Sequence, residues 1–407
     1  MKHGLNSGEM QKQNRELILR LLLENKSMTR TQLSVETGLQ KATITNIINE
    51  FIDMNIIRVE GENASGRRAE SIALQLDGYI LVMGITRKDY QIVIYTVGGQ
   101  RKEEFRDTFE IGKESFCLVF EKMKDKAVEL LNRVGHKNVI FACLAVPGLF
   151  IRNTREKIER LEITGFEELG KINLREELEQ VLNLPLLMYH DAKLDAYAEW
   201  KIAPEARANR NASLAIIRSR GGGLGTGMVI NGKIVEGQLG LAGEVGYMGI
   251  NYNGRITQGY SEGAFEYCAS TDSVIRYMLE RLFEYPQSCL HAESTYYEIV
   301  EAYEQGDPLA SYAVDKMAWM LGYGIANIIY MVNPDCIVIG ADYPKSTVFV
   351  DKVKQSVKRM VNPLVYQNTV IRYSEVREDP CMLGGYYYVI ETLFKEGKML
   401  EILELRI

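Results

Sequence analysis

The strongest constraint on the fold of this chain is an order of strands and helices that occurs twice along residues 76–407. The first set begins with YILVMGITRKDYQIVIYTVGGQRKEEFRDTF, which predicts three strands, and continues with a helix, the strand NVIFACLAV, a helix and the strand PLLMYHD. The second set has the strands SLAIIRS, GTGMVI and KIVEG, then helices, the strand CIVIGA, a helix, the strand VIRYS and a final helix. The repeated order predicts an α/β body with two similar lobes, residues 76–195 and 196–407, and a ligand-binding cleft between them. We expect the final helix to pack back on the first lobe.

Residues 1–75 predict a separate head of three helices and a β-hairpin. Thr29 and Gln32 have the spacing of a capping box for the second helix, which should stop at Gly38. The third helix should start near Gln40. Apolar residues recur along it at helical spacing: Ile44, Ile47, Ile48, Phe51 and Ile52. Two helices joined by a glycine turn, followed by the hairpin-like VEGENASGRRAESIALQL, indicate a winged helix-turn-helix.

The head carries the residues expected to contact DNA. The polar side of the third helix would reach base edges or phosphates in the major groove with Gln40, Lys41, Thr43 and Asn46. The wing would bring Arg67 and Arg68 into the minor groove. Residues 1–75 contain ten Lys or Arg and nine Asp or Glu, whereas the body is acidic, so the charge permits DNA binding without requiring it. A three-helix scaffold for protein contacts is the alternative.

A glycine-rich stretch, SRGGGLGTGMVINGKIVEG, opens the second lobe with five glycines between Gly221 and Gly227. Such a run fits a phosphate cradle, and it also fits a tight entry into a hairpin that turns at Asn231-Gly232. We favour the hairpin entry. Arg218 and Arg220 precede the run and would suit an anionic effector such as a sugar phosphate, although we favour a neutral sugar.

Composition excludes several other classes of protein. The six cysteines form no CxC or CxxC pair, and several lie in apolar segments, so neither a disulfide framework nor a zinc site is expected. The first residues lack the apolar core of a signal peptide, and no apolar run approaches membrane-spanning length. We therefore expect a cytoplasmic chain that does not bind a membrane.

Several segments resemble the ROK family of bacterial repressors and sugar kinases, and together they cover nearly the whole chain. They are CLAVPGLF, MYHDAKLDAYAEW, GLAGEVGYM, LGYGIANIIYMVNPDCIVIGA and MLGGYYYVIE. The head with SGRRAESIAL resembles the repressor branch of that family, of the xylose and N-acetylglucosamine type. The resemblance implies a ribonuclease-H-like body of the actin and sugar-kinase type, with the sugar between its lobes.

The resemblance also shows where this chain departs from the family's kinases and zinc-binding members. Their first phosphate loop, DxGGT, corresponds to residues 86–90, where Thr86 replaces the acid and charged residues replace the glycines. The second loop keeps its glycines but has Gly222 in place of a hydroxyl residue. The zinc ligands fall on Tyr247, Thr257, Gly259 and Ala264. We therefore expect no tight Mg·ATP binding, no metal and no cofactor.

The sugar site implied by the resemblance has six candidate residues: Glu162, His190, Asp191, Glu244, Tyr247 and Glu266. Asp191 matches the general base of the kinases, here vestigial, and Glu244 and Glu266 match acids that bind sugar hydroxyls. Four of the six also have an ordinary structural role: a helix cap for Asp191, a loop cap for Glu244, a solvent-facing helix acid for Glu266, and a satisfied core residue for His190.

These features predict a DNA-binding transcriptional regulator of carbohydrate metabolism, a repressor without kinase activity. Its partners would be operator DNA, a carbohydrate or sugar-phosphate effector, and further copies of the chain in a dimer or tetramer. A sugar kinase with an appended head is one alternative, which Asp191 supports. A constitutive DNA-binding or docking protein with a vestigial pocket is another, and it would be indifferent to every sugar.

Overall fold

The computed structural model describes residues 7–60, 70–75, 78–110, 113–153, 158–163, 172–257 and 260–404. The head contains α1 (Ser7–Asn25), β1 (Ser27–Thr29), α2 (Arg30–Thr37), α3 (Lys41–Asp53), β2 (Ile57–Glu60) and β3 (Ser71–Leu74). Strand β3 lies between β1 and β2 and is antiparallel to both. The three helices and the hairpin predicted from the sequence are all present.

Local signals in the sequence set the ends of the head helices. The Thr29 hydroxyl accepts a hydrogen bond from the Gln32 backbone N–H at 3.2 Å, and the Gln32 side chain accepts one from the Thr29 N–H at 2.8 Å. The predicted capping box is therefore confirmed, and Gly38 ends α2 in the left-handed conformation with φ 70°. Gln40 precedes α3 without a side-chain cap.

The first lobe is built on a five-stranded sheet of order β10-β7-β4-β5-β6. Its elements are β4 (Tyr79–Ile85), β5 (Asp89–Thr96), β6 (Arg101–Thr108), α4 (Phe116–Val134), β7 (Val139–Val146), β8 (Leu149–Asn153), β9 (Ile158–Glu162), α5 (Leu174–Leu182) and β10 (Leu186–His190). Strands β4, β5 and β6 form an antiparallel meander, whereas β7 and β10 run parallel to β4. The β8–β9 hairpin was not predicted, because TREK between its strands contains no glycine or proline.

The second lobe repeats this topology in a sheet of order β13-β12-β11-β16-β17. Its strands are β11 (Leu214–Arg218), β12 (Gly225–Ile230), β13 (Lys233–Ile234), β14 (Ile256–Thr257), β15 (Tyr260–Ser261), β16 (Cys336–Ile339) and β17 (Val370–Tyr373). Its helices are α8 (Phe265–Ala269), α9 (Thr271–Arg281), α10 (Tyr296–Glu304), α11 (Pro308–Val332), α12 (Thr347–Met360) and α13 (Pro363–Gln367). Again β11 and β12 are antiparallel and β11, β16 and β17 are parallel, as the repeated order predicts.

Two helices lie between the sheets and join the lobes. Helix α6 (Asp191–Ile202), which is followed by α7 (Pro204–Ala208), packs on β11 and β12 and against α14 (Pro380–Lys395). Helix α14 packs on β4 and β7, and its Tyr386 hydroxyl donates to the Val97 carbonyl at 2.8 Å. The lobe boundary proposed at residue 195 falls inside α6, which contacts both lobes.

The last helix, α15 (Met399–Glu404), lies against the head. Lys12 of α1 pairs with Glu401 at 2.6 Å, and the Leu400 backbone N–H donates to the Glu16 carboxylate at 3.0 Å. The head, the first sheet and the C-terminal helices share one continuous apolar core. Within the described part of the chain, no helix is both long and apolar enough to cross a membrane.

Candidate effector cleft and DNA-binding head

The turn between β4 and β5 contains residues 86–90, the segment expected from the resemblance to correspond to the first phosphate loop of the kinases. Here the Thr86 hydroxyl accepts hydrogen bonds from the backbone N–H groups of Lys88 and Asp89, each at 3.1 Å. It donates in turn to the Asp89 carboxylate, which also pairs with Arg106. A phosphate cradle needs free backbone N–H groups, and those of Thr86, Lys88 and Asp89 are already bound within the turn.

The glycine run forms the entry into the β12–β13 hairpin, which turns at Asn231-Gly232, as the favoured interpretation predicts. Two acids lie against its backbone. Glu266 accepts a hydrogen bond from the Leu224 N–H at 2.9 Å, and a Cβ at Gly222 would clash with the Asp272 carboxylate. These carboxylates would repel a phosphate, whereas the Arg87 guanidinium, which also lies beside Gly223, would attract one. The run therefore has both acidic and basic side chains around it.

The two arginines before the glycine run are paired inside the chain, Arg218 buried and Arg220 half-buried. Arg218 forms an ion pair with Asp195 and lies 3.4 Å from Asp342, and Arg220 pairs with Asp379 at 2.6 Å. The suggestion that these arginines suit an anionic effector is therefore wrong, because their charges are already balanced within the protein.

The same ion pairs bear on metal binding. Among the described residues, ligand atoms of Asp195, Asp379 and Cys381 come within 4.8 Å of one another. Both carboxylates already have a guanidinium partner, and burial holds the pKa of the Cys381 thiol well above its usual range. A cation would have to displace two arginines from this group, so we assign no metal to it.

The chain brings His190 and Asp191 together at the junction of β10 and α6. Asp191 is the first residue of α6 rather than the cap outside it, and its carboxylate accepts a hydrogen bond from the Ala192 N–H at 2.6 Å. His190 is buried, yet its Nδ1 has no hydrogen-bond partner, and its Nε2 lies 3.6 Å from Glu244. His190 is therefore not the satisfied core residue of the alternative interpretation.

Of the other predicted acids, Glu244 lies at this junction, Glu266 is bound to the Leu224 N–H, and Glu162 pairs with Arg160 at 2.9 Å. Burial raises the pKa of Glu244, an effect that His190 and Lys193 oppose. Tyr247 is 63% exposed as a residue, and the burial of its remaining surface, followed by the charges of Glu266 and Glu244, raises the pKa of its hydroxyl. Arg87 lowers and Glu162 raises that pKa to a smaller extent. The cleft therefore has polar groups suited to hydroxyl-rich ligands, which accept and donate many hydrogen bonds.

Some cleft residues were not predicted from the sequence. A small cavity of about 10 Å³ is lined by Phe150, Arg152, Tyr189, His190, Lys193, Glu236 and Gly240. The Tyr189 hydroxyl donates to Glu236 at 2.5 Å, and Tyr388 of α14 lies 3.3 Å from that hydroxyl. The lining comes from β8, from the β10–α6 junction and from the segment after β13, so no local sequence motif predicts the cavity.

The head presents most of its predicted DNA contacts on one exposed surface. Gln40, Lys41 and Asn46 are exposed and Thr43 is half-buried, because the opposite side of α3 packs into the apolar core. Arg67 and Arg68 lie outside the described residues. These positions fit a recognition helix, whose polar side must face outward.

Comparison with protein families agrees with this architecture. A model of the ROK family matches residues 100–392, which is more than half of the chain. The chain belongs to the ROK family. A second model, described as winged helix-turn-helix DNA-binding, matches residues 12–58. This ROK protein therefore combines a winged helix-turn-helix head with a ROK body, as the sequence predicts.

Known relatives include regulators and kinases. The xylose repressor of Caldicellulosiruptor bescii is 25% identical over 391 residues, which cover 93% of this chain and 96% of the repressor. A glucokinase of Halalkalibacterium halodurans is 29% identical over 225 residues, covering 53% of this chain and 67% of the glucokinase. The crystal structure of a ROK family transcriptional regulator, a homologue of the E. coli MLC protein, superposes with a TM-score of 0.79. It is 23% identical and covers 97% of this chain and 99% of its own. The fold extends through head and body alike.

Proposed function

We propose that this ROK protein is a transcriptional regulator that binds operator DNA through its head and senses a sugar or sugar derivative in its cleft, without phosphorylating it. The full-length similarity to a protein named xylose repressor supports the regulatory role. The observation that carries the proposal against a kinase is the turn at Thr86, whose hydroxyl occupies the Lys88 and Asp89 N–H groups.

The DNA-binding half of the proposal rests on α3. The exposed Gln40, Lys41 and Asn46 lie opposite its buried stripe, which leaves them free to enter the major groove. The wing pair Arg67 and Arg68 would contact the adjacent minor groove. Two heads in a dimer or tetramer would read half-sites spaced by about one helical turn, roughly 34 Å, or a multiple of it.

Helix α6 offers a physical route from the cleft to the head. Its first residue, Asp191, lies in the cleft, and Lys201 in its last turn lies 3.7 Å from Glu391 of α14. Glu391 also pairs with Arg20 of α1 at 3.0 Å. A ligand that changes the lobe arrangement would therefore act on the same helices that hold the head, and regulation requires that the two arrangements differ in DNA affinity.

The proposal is tested by selecting a binding sequence for the full chain from random DNA and then measuring its Kd with and without a panel of sugars. Regulation predicts that at least one sugar changes the operator Kd while Mg·ATP has no effect. Sugar-dependent ADP production that disappears in Asp191→Asn would instead establish a kinase. An operator Kd that is indifferent to every sugar would establish a constitutive DNA-binding protein.

A further inference from the structure

The small cavity beside His190 is distinguished by the charge of its lining. Lys193 is 2% exposed, and its ammonium donates a hydrogen bond to the Gly240 carbonyl. Within the described ranges, no carboxylate oxygen lies within 4.0 Å of the Lys193 Nζ. A neutral carbonyl compensates a buried ammonium only in part. Burial lowers the pKa of Lys193, and the charges of Glu244 and Glu236, which form no ion pair with it, offset this effect only partly.

A second cation faces the same cavity. The Arg152 guanidinium lies 6.0 Å from the centre of the Tyr189 ring, and no ion pair involves it among the described residues. His190 adds a buried Nδ1 without a hydrogen-bond partner. The acid in the lining, Glu236, already accepts the Tyr189 hydroxyl at 2.5 Å. The cavity lining therefore contains two cationic side chains, Lys193 and Arg152, and one carboxylate, Glu236.

Carboxylates that can accept hydrogen bonds from sugar hydroxyls lie near both ring nitrogens of His190. Glu244 is 3.6 Å from the His190 Nε2, and Asp191 is 3.7 Å from its Nδ1. Hydroxyl groups donate well to such carboxylates. The cleft thus has carboxylate acceptors near both nitrogens of His190, and the adjoining cavity contains two cations that form no ion pair among the described residues.

We propose that the cleft takes an acidic sugar, whose carboxylate or phosphate binds Lys193 and Arg152 while its hydroxyls bind Glu244 and Asp191. The anion replaces the Gly240 carbonyl as the partner of Lys193. The cavity has room for about one water molecule, so the Gly240 segment moves away from Lys193 when the ligand enters. This inference rests on the proposed function. It specifies an acidic sugar as the effector, whereas the sequence alone favoured a neutral sugar.

Titration calorimetry on the full chain tests the inference with three probes: glucose, glucuronate and glucose 6-phosphate. We expect glucuronate or glucose 6-phosphate to bind at least about tenfold more tightly than glucose, and comparison of the two tells a carboxylate from a phosphate. Lys193→Met and Arg152→Gln should each weaken that binding by about tenfold or more. Lys352→Met, which removes a lysine paired with Asp315 outside the cleft, should leave it unchanged. Arg152 is only half-buried, so Arg152→Gln remains informative if Lys193→Met does not fold.

Other outcomes separate the inference from the function on which it rests. If glucose binds as tightly as both acidic probes and changes operator affinity, the anion site is wrong and the regulator stands. If an acidic probe binds to Lys193→Met and to Arg152→Gln as tightly as to the wild type, the anion lies elsewhere and the inference fails. If no probe of either class binds, the inference fails. The regulator then fails as well only if operator affinity is also indifferent to the whole sugar panel.

Discussion

Gly227 of β12 lies directly against the backbone of Ala192 in the first turn of α6, so closely that a Cβ at Gly227 would overlap the Ala192 carbonyl. This contact joins the glycine run of the second lobe to the helix that begins in the cleft. The glycine at this position is therefore explained by close packing between two elements rather than by a bound phosphate.

Gly227→Ala should destabilise the protein by at least about 2 kcal/mol, because the clash is with backbone atoms that cannot rotate away. Denaturant unfolding of the full chain measures the change. Gly249→Ala is the matched control, since a Cβ there meets nothing within 4 Å, and it should cost no more than about 0.5 kcal/mol. Equal effects of the two substitutions would contradict the packing argument.

Glu391→Gln should weaken the contact between the head and helix α14. The change removes the carboxylate that Arg20 and Lys201 share, and Lys201 already has a pKa lowered by burial. Arg20 and Glu391 are about a third exposed, so we expect the free energy of unfolding to fall by at most about 1 kcal/mol. Amide hydrogen exchange in α1 should become faster, and the effect of a sugar on operator affinity should shrink. Glu284→Gln, in an exposed pair with Arg281, should change neither quantity.

Asn46→Ala should relax the choice of operator sequence. An amide side chain on the exposed face of α3 can read one base pair, and its removal costs about 1–3 kcal/mol of discrimination at that position. Binding to a set of single-base operator variants measures the effect. The control is Asn253→Ala, which changes an exposed asparagine of the body. It should bind every single-base operator variant with the affinity of the wild-type protein.

Arg67→Ala combined with Arg68→Ala should weaken operator binding and reduce its salt dependence. For each arginine that no longer neutralises a phosphate, the slope of log K against log salt should become shallower by about 0.9. The measurement is operator affinity across a series of salt concentrations. Arg255→Ala, which removes an exposed arginine of the body, should leave the slope unchanged, and an unchanged slope in the double variant would rule out the wing contact.

Lys193→Met should stabilise the free protein at neutral pH, by about 1 kcal/mol or more, because it removes a buried charge without a carboxylate partner. Burial lowers the pKa of Lys193 below 10.5, so between the two values the unfolded chain holds more protons than the folded one. The free energy of unfolding of the wild type therefore rises with pH in that interval. The difference in stability between Lys193→Met and the wild type becomes smaller there. Denaturant unfolding at a series of pH values measures both effects. A variant less stable than the wild type at neutral pH would show that Lys193 has a stabilising partner.

The sequence determines the elements of this protein and most of their order. Buried runs such as VIFACLAV and CIVIGA read directly as central strands, since a strand covered on both faces is apolar throughout. The sequence also predicted the head from the capping box at Thr29 and the apolar stripe on α3, because each of these signals lies within one turn or one helix. The resemblance to the ROK family added the positions of Asp191 and Glu244.

The tertiary structure alone decided what the charged residues do. Arg218 and Arg220 look free in the sequence, but Asp379 reaches Arg220 from 159 residues away. Lys193 likewise donates its hydrogen bond to the Gly240 carbonyl rather than to an acid. Glu391 accepts a hydrogen bond from Arg20, which lies 371 residues away in the sequence. Periodicity and caps depend on neighbours along the chain, so a sequence records them. The partner of a buried charge depends on which distant segments the fold brings together, and only the packed lobes determine that.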